Sequence, residues 1–250
     1  MRLDGKTVVM TGAAGGIGSL LCRELRARGA RLVGVDRVNC EECDETILAH
    51  LGSREGLEQL AGSLAGREID ILVNLAGMQY FGPFERQDPA SIWDGYVVNL
   101  IAPATLIRAV LPQMQARGGG QIVNIGSVMG AVNYPHFATY SSSKCGLRGL
   151  SEALRRELGR SPIAITHIAP RAVRTAFNNA EVNRFMEVTG MKADEPAHVA
   201  ASIAKAIARR AKDVTLGGPE RLFTRLNGAF PRLIDAGLEG TTAKARALFA

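Results

Sequence analysis

Seven short apolar runs punctuate the chain, at residues 7–10, 31–35, 46–49, 69–73, 121–125, 164–168 and 213–216. Each is four or five residues long, the length of a strand rather than of a helix. The segments between them place apolar residues at helical spacing. From about residue 141 to residue 158, for example, Leu147, Leu150, Leu154 and Leu158 follow one another at intervals of 3, 4 and 4, one face of a helix. Strands that alternate with helical crossovers predict an α/β fold, a doubly wound parallel sheet of about seven strands flanked by helices. No internal repeat and no interdomain linker interrupts the alternation.

Composition narrows the class. A chain of 250 residues with 46% hydrophobic content can bury one large core in a single domain. No apolar run reaches the ~20 residues of a membrane span; the stretch 100–111 is broken by Pro103 and Arg108. The first strand follows residue 1 almost at once, so no secretory signal is expected and a cytoplasmic location is. The net charge is +6, yet the basic residues are scattered. The small clusters Arg155-Arg156 and Arg209-Arg210 fall on predicted helices, and no basic stripe interleaved with aromatics marks a nucleic-acid partner. Cys40-Glu-Glu-Cys43 has the spacing of half a zinc site. Neither a second such pair nor close histidines accompany it, since His50, His136, His167 and His198 stand apart. A structural site needs four ligands, so no metal is expected.

Candidate chemistry concentrates at strand ends. Thr11-Gly-Ala-Ala-Gly15-Gly-Ile-Gly18 follows the first strand and opens a helical pattern. In that context Gly12 permits a tight turn, and Gly15, Gly16, Ile17 and Gly18 bring a helix N-terminus up to a pyrophosphate. Asp36 ends the second strand, where a carboxylate accepts hydrogen bonds from a ribose 2′-hydroxyl and repels a 2′-phosphate. It predicts NAD(H); the adjacent Arg37 leaves NADP(H) open. Tyr140 and Lys144 stand four residues apart, one helical turn from each other. At ~4 Å and an effective dielectric of ~20 a lysine attracts a phenolate by ~4 kcal/mol, so Lys144 is expected to draw Tyr140 toward neutral pH as a general acid or base.

Taken in order, the glycine turn, Asn74-Leu-Ala-Gly77, Asn99, Ser127 after a buried strand, Tyr140-Ser-Ser-Ser-Lys144 and Pro170-Arg-Ala-Val-Arg-Thr175 resemble the short-chain dehydrogenase/reductase family. The resemblance runs from about residue 4 to about residue 218. It implies a Rossmann-type fold and an oxidoreductase that interconverts a secondary alcohol and a ketone. By resemblance Tyr140 is the acid/base, Lys144 tunes it and holds the nicotinamide ribose, Ser127 bonds the substrate oxygen, and Asn99 supports a proton-relay water. His50 and Leu51 occupy the adenine rim; Asn74, Ala76 and Gly77 line the cofactor; Pro170, Val173 and Thr175 hold the nicotinamide side. Arg171 stands where the family has glycine and is expected either to bind a substrate anion or to point outward. The family's interface use of the 141–158 helix, whose Cys145, Gly146 and Gly149 are small, implies a homodimer or homotetramer.

The predicted pocket wall is mostly apolar or aromatic: Gln79, Tyr80, Met129, Tyr134, His136 and Phe137, with Phe177, Phe185 and Met186 from a lid. Such a wall favours a hydrophobic ketone or acyl chain over a sugar, and the long form of the chain resembles family members that reduce 3-oxoacyl-type carbonyls, an acyl thioester among them. A steroid, aromatic diol or other cyclic alcohol is the enzymatic alternative. A catalytically idle NAD-sensing or scaffold protein is the alternative of another class. Many relatives stop near residue 218. Here residues 219–250 are expected to form a helical extension of the 1–218 domain. Its Leu222, Phe223, Leu226, Phe230, Leu233 and Ile234 alternate with Arg221, Arg225 and Arg232, a pattern that fits docking on its own subunit, cover of the site, an acyl-carrier partner or peripheral membrane contact.

Overall fold

The computed structural model describes residues 2–249. All seven predicted strands form: β1 (Thr7–Thr11), β2 (Arg31–Asp36), β3 (Glu45–Leu48), β4 (Ile71–Asn74), β5 (Gly120–Ile125), β6 (Ile163–Ala169) and β7 (Asp213–Thr215). They pair in parallel in the order β3-β2-β1-β4-β5-β6-β7. The order reverses between β1 and β4. In an open parallel sheet that reversal opens a crevice beyond the carboxyl ends of the strands, and every candidate motif lies at that edge.

Alternation along each strand sorts side chains between two cores. Val8, Met10, Val73 and Val123 face α1 (Gly16–Arg26) and α7 (Pro196–Ala208). Val9, Val33, Leu72 and Ile122 face α2 (Arg54–Ala65) and α4 (Ala102–Ala116). Both faces of the inner strands are buried, which is why those segments read as short continuous apolar runs rather than as alternation.

Local chemistry starts and stops the helices. Ser53 caps α2 by accepting from the Gly56 N–H, and Asp88 caps α3 (Pro89–Tyr96) with proline in its first turn. Asn179 caps α6 (Ala180–Thr189), which ends on Gly190 at φ 70°, the left-handed stop that glycine takes without strain. Between α3 and α4 the helix does not break. Residues Val97–Ile101 form a π-helical turn, so Pro89–Ala116 run as one helix long and apolar enough by composition to cross a membrane. Leu106, Val110 and Met114 of this helix pack into the core against the sheet and α2, which makes it a core helix of this fold.

The helix α5 (Ala138–Leu158) begins three residues before the predicted start. Residues beyond β7 form α8 (Gly218–Ala229) and α9 (Pro231–Arg246). The end of α9 docks on the molecule's own surface. Ala245 is buried in a third apolar cluster with Phe81, Phe137, Phe185 and Met186, and Phe249 stacks on Phe81 and His136 at centroid distances of 5.0 Å. Leu222, Phe223, Phe230 and Leu233 remain exposed, whereas Ile234 is buried.

Candidate active site

A cavity of about 720 Å³ runs along the carboxyl edge of the sheet, from Asp36 at one end to Phe185 and Met186 at the other. Its floor at the reversal point is the glycine turn. Gly12 sits at φ +72°, and a Cβ there would stand 2.9 Å from the Ala76 backbone. The Thr11 hydroxyl accepts from the N–H groups of both Leu75 and Ala76, each at 3.1 Å, and so ties the turn after β1 to the turn after β4. Nothing in the sequence beyond its place in the glycine motif marked Thr11 for this work.

The helix α1 starts with no side-chain cap and no acidic residue in its first turn. Its first N–H groups and the positive end of its dipole therefore face the cavity without an internal anion, the environment a diphosphate requires. Gly18 secures the close approach: a Cβ would lie 2.1 Å from the Gly12 carbonyl oxygen. Gly18→Ala must push α1 off the turn. The expected cost is about 1–3 kcal/mol, the range of overpacked sites, read by urea denaturation, together with weaker nucleotide binding. An unchanged urea midpoint would show that α1 yields freely.

Asp36 lies at the end of β2 with its carboxylate already oriented. One oxygen accepts from the Ala14 N–H at 3.0 Å and the other from the Arg37 N–H at 2.7 Å. Gly12, Gly15, Gly16, Ile17, Gly18, Asp36, Arg37, His50, Leu51, Ala76 and Gly77 all line this half of the cavity. Asn74 does not. Its side chain is buried within the sheet, donating to Asn124 Oδ1 at 2.8 Å, because the pleat at the end of β4 turns it away from the crevice. The expectation that it lines the cofactor is therefore corrected. Residues 12–18, the uncapped α1 and Asp36 together suit a dinucleotide.

The other half carries the reactive groups. Ser127 follows β5 and caps a short helical turn, its hydroxyl accepting from the Met129 N–H at 3.1 Å. The Tyr140 phenol, one element later, shares the cavity wall with that hydroxyl. Lys144, on the next turn of α5, donates to the Ile125 carbonyl at 2.9 Å, with its Nζ 5.9 Å from the centre of the Tyr140 ring. Pro170, Val173 and Thr175 line the facing wall.

Electrostatics corrects one expectation. Tyr140 is not drawn below its ordinary pKa: burial pushes it up, and the neighbouring Ser127 hydroxyl only partly opposes this. Lys144 is itself lowered to about 8 by burial. Desolvation of both groups outweighs the attraction inferred from their spacing.

Asn99 stands outside the cavity wall, fully buried within the π-helical turn. Its Oδ1 accepts from the Met78 N–H at 3.0 Å, and its Nδ2 donates to the Met78 carbonyl at 2.8 Å and to the Ser143 hydroxyl at 3.0 Å. With the amide engaged three times, Asn99 clamps the rim after Gly77 to the helix of Tyr140. Ser143, which sequence reasoning passed over, is the third member of that clamp. The inserted π turn is what aims Asn99 at the rim, a use to which such turns are often put.

Of the predicted substrate wall, Gln79, Met129, Tyr134, Phe137, Phe177, Phe185 and Met186 line the cavity. Tyr80 and His136 do not: the Tyr80 hydroxyl donates to the Pro83 carbonyl at 3.2 Å, and the His136 ring packs on Phe249. Arg171 neither points outward nor stands free for a substrate anion. It pairs with Asp194 at 2.5 Å and with Glu220 of α8 at 3.2 Å, which fastens the 170–175 loop to the extension. Glu220 lines the cavity, so the extension does reach the site, through a residue no periodicity singled out.

Comparison with known proteins agrees with this fold. The family model described as short chain dehydrogenase matches residues 6–184. The chain is 34% identical over 194 residues to Nodulation protein G of Rhizobium sp. (strain N33), covering 71% of this chain and 77% of that one. It is 31% identical over 227 residues to the 3-oxoacyl-acyl-carrier-protein reductase FabG of Haemophilus influenzae, covering 84% of this chain and 92% of that one. A solved short-chain dehydrogenase from Sphingobium yanoikuyae in complex with NADPH superposes with a TM-score of 0.78 at 28% identity, covering 92% of this chain and 95% of that one.

Proposed function

We propose, from the premise that this chain belongs to the short-chain dehydrogenase family of NAD(P)-dependent oxidoreductases, that it interconverts a secondary alcohol and a hydrophobic ketone, using NAD(H) and Tyr140 as general acid/base. The observation that carries the reading is the convergence of Tyr140, Ser127 and Lys144 in one cavity with the glycine turn and Asp36. The nicotinamide, when bound, supplies the hydride to the carbonyl carbon or accepts it from the alcohol.

The chain's own groups handle the oxygen and the proton. The Tyr140 phenol, kept protonated by burial, donates its proton to the oxygen as negative charge develops there. The Ser127 hydroxyl, on the same cavity wall, donates to the same oxygen and stabilises that charge. Lys144, held by the Ile125 carbonyl, lies beside the phenolate formed and offsets its charge. Asn99 positions the Met78 rim opposite them. In the oxidative direction the same phenolate takes the alcohol proton. Gly16, Ile17 and Gly18 would hold the diphosphate, Asp36 the adenosine ribose, and Lys144, Val173 and Thr175 the nicotinamide end.

The substrate half is walled by Met129, Phe137, Phe185 and Met186, which favours an apolar substituent on the carbonyl over a sugar. A 3-oxoacyl thioester fits that wall, and the relative from Haemophilus influenzae is described as acting on that class. The proposed setting is the cytoplasm, in a homo-oligomer. The test is oxidation of NADH and of NADPH by a 3-oxoacyl thioester and by a panel of bulky ketones. Turnover of none of them would overturn the assignment.

Cofactor choice follows from Asp36. Its fixed carboxylate favours a free 2′-hydroxyl and repels a 2′-phosphate. Asp36→Ala is expected to raise KM for NADH about ten- to a hundredfold, the loss of a hydrogen bond to a charged group, and to improve use of NADPH. A variant whose ratio of NADH to NADPH efficiency is unchanged would remove Asp36 from the cofactor site.

A further inference from the structure

Behind the glycine turn, outside the reaction site, three thiols meet. Cys22 comes from the middle of α1, and Cys40 and Cys43 come from the connection between β2 and β3. Cys43 Sγ lies 3.5 Å from Cys22 Sγ and 3.4 Å from Cys40 Sγ, and all three sulfurs are within 4.8 Å of one another. Cys22 was invisible as a partner in the sequence, where it stands far from the Cys-x-x-Cys pair.

We propose that Cys22, Cys40 and Cys43 form a binding site for one thiophilic divalent cation of the zinc class, held by three thiolates with its fourth position open.

Sulfurs at these separations lie on a circle of radius about 2.0–2.4 Å, which brackets the zinc–thiolate bond of ~2.3 Å. A cation near the centre of the triangle therefore reaches all three without rebuilding the backbone. Space has been left for the cluster. Gly34 sits inside β2, where glycine weakens a strand, and a Cβ there would stand 2.7 Å from Cys43 Sγ. The connection is also held in place independently of any ion. Arg23 and Arg26 of α1 pair with Glu42 at 2.7 Å and with Asp44 at 3.1 Å, and the Asp44 carboxylate accepts from the Leu32 N–H at 2.7 Å. The thiols are thus brought together before binding.

Sulfur selects soft cations over magnesium or calcium. Binding releases three thiol protons to solvent and forms three metal–sulfur bonds. A divalent ion then leaves one net negative charge, a monovalent ion two, and a site this buried favours the smaller charge. The fourth position opens beside Cys43, the least buried of the three; zinc accepts three protein ligands with water in the fourth place. The ion would bolt the rim loop after Asp36 to α1. Cys40 Sγ lies 3.4 Å from the Ala13 carbonyl of the glycine turn, so the bolt also steadies the nucleotide end of the cavity.

The test is titration of the full-length protein, in a thiol-free reductant, with Co(II) and then Zn(II). One Co(II) per chain is expected, with a sulfur-to-cobalt charge-transfer band and the intense visible bands of four-coordinate cobalt, displaced by Zn(II). Zn(II) should raise Tm. Each of Cys22→Ser, Cys40→Ser and Cys43→Ser should lose the bands, while Cys145→Ser, at an exposed thiol on α5, keeps them. Gly34→Ala retains all three thiols but crowds Cys43, and should weaken binding at least tenfold in a chain shown to be folded by circular dichroism. Absence of the bands in the reduced folded protein, or their survival in Cys22→Ser, would overturn the site. These readouts are independent of catalysis, so failure here leaves the proposed activity untouched.

Discussion

Tyr140→Phe is expected to lower kcat by about a hundred- to ten-thousandfold, the usual share of a positioned acid or base, while dinucleotide affinity changes little. Phenylalanine keeps the ring packed against Phe177 and in the apolar cluster with Phe137 and Phe185. The only atom lost is the phenol oxygen, which donates to the substrate and stands near Ser127. A single hydrogen bond contributes ~1 kcal/mol to stability, so the variant should fold. Initial rates of NADH oxidation, beside a direct binding measurement by cofactor fluorescence, separate the two effects. Retained turnover would remove Tyr140 from the chemistry. Equal loss of binding and turnover would instead assign it a role in holding the cofactor.

Lys144→Met is expected to stabilise the cofactor-free protein at pH 7 and to inactivate it. Burial lowers the Lys144 pKa from 10.5 to about 8, so the folded state binds the proton less tightly than the unfolded chain. Below pH 8 both states are protonated and the native state bears the full penalty, ~3 kcal/mol. Between pH 8 and 10.5 the native lysine gives up its proton first and the penalty fades, so stability rises with pH through that window. Methionine removes the charge but leaves the Ile125 carbonyl without its 2.9 Å donor, a loss of about 1–2 kcal/mol. A net gain of about 1–2 kcal/mol at pH 7 should remain. Urea denaturation of both proteins at several pH values tests this directly. The advantage of the variant must shrink as pH rises toward 10. An advantage that grows with pH, or a variant less stable at pH 7, would contradict a lysine buried with an unfavourable charge. Such a residue is costly to the fold and retained for function, as reactive sites often are.

Fold class and most of the site were legible because their signals are local. A strand buried on both faces must be a short apolar run, as the inner strands are, and all seven runs became strands. A turn where a Cβ would stand 2.9 Å from another backbone must be glycine, and Gly12 is. Tyr140 and Lys144 share a helix face by spacing alone, and Asp36 ends its strand where the periodicity stops. What could not be read depends on segments distant in the chain. Strand order, with its reversal between β1 and β4, decides which strand ends meet. The direction of the Tyr140 shift is set by desolvation, a sum over every atom packed around the phenol, and not by the one lysine a turn away. The inward turn of Asn74, the Arg171 pairs with Asp194 and Glu220 and the meeting of Cys22 with Cys40 and Cys43 are likewise contacts across 18 to 50 residues of chain. Sequence pattern reports what each segment needs from its own neighbours; burial and pairing between segments exist only once the sheet has brought them together.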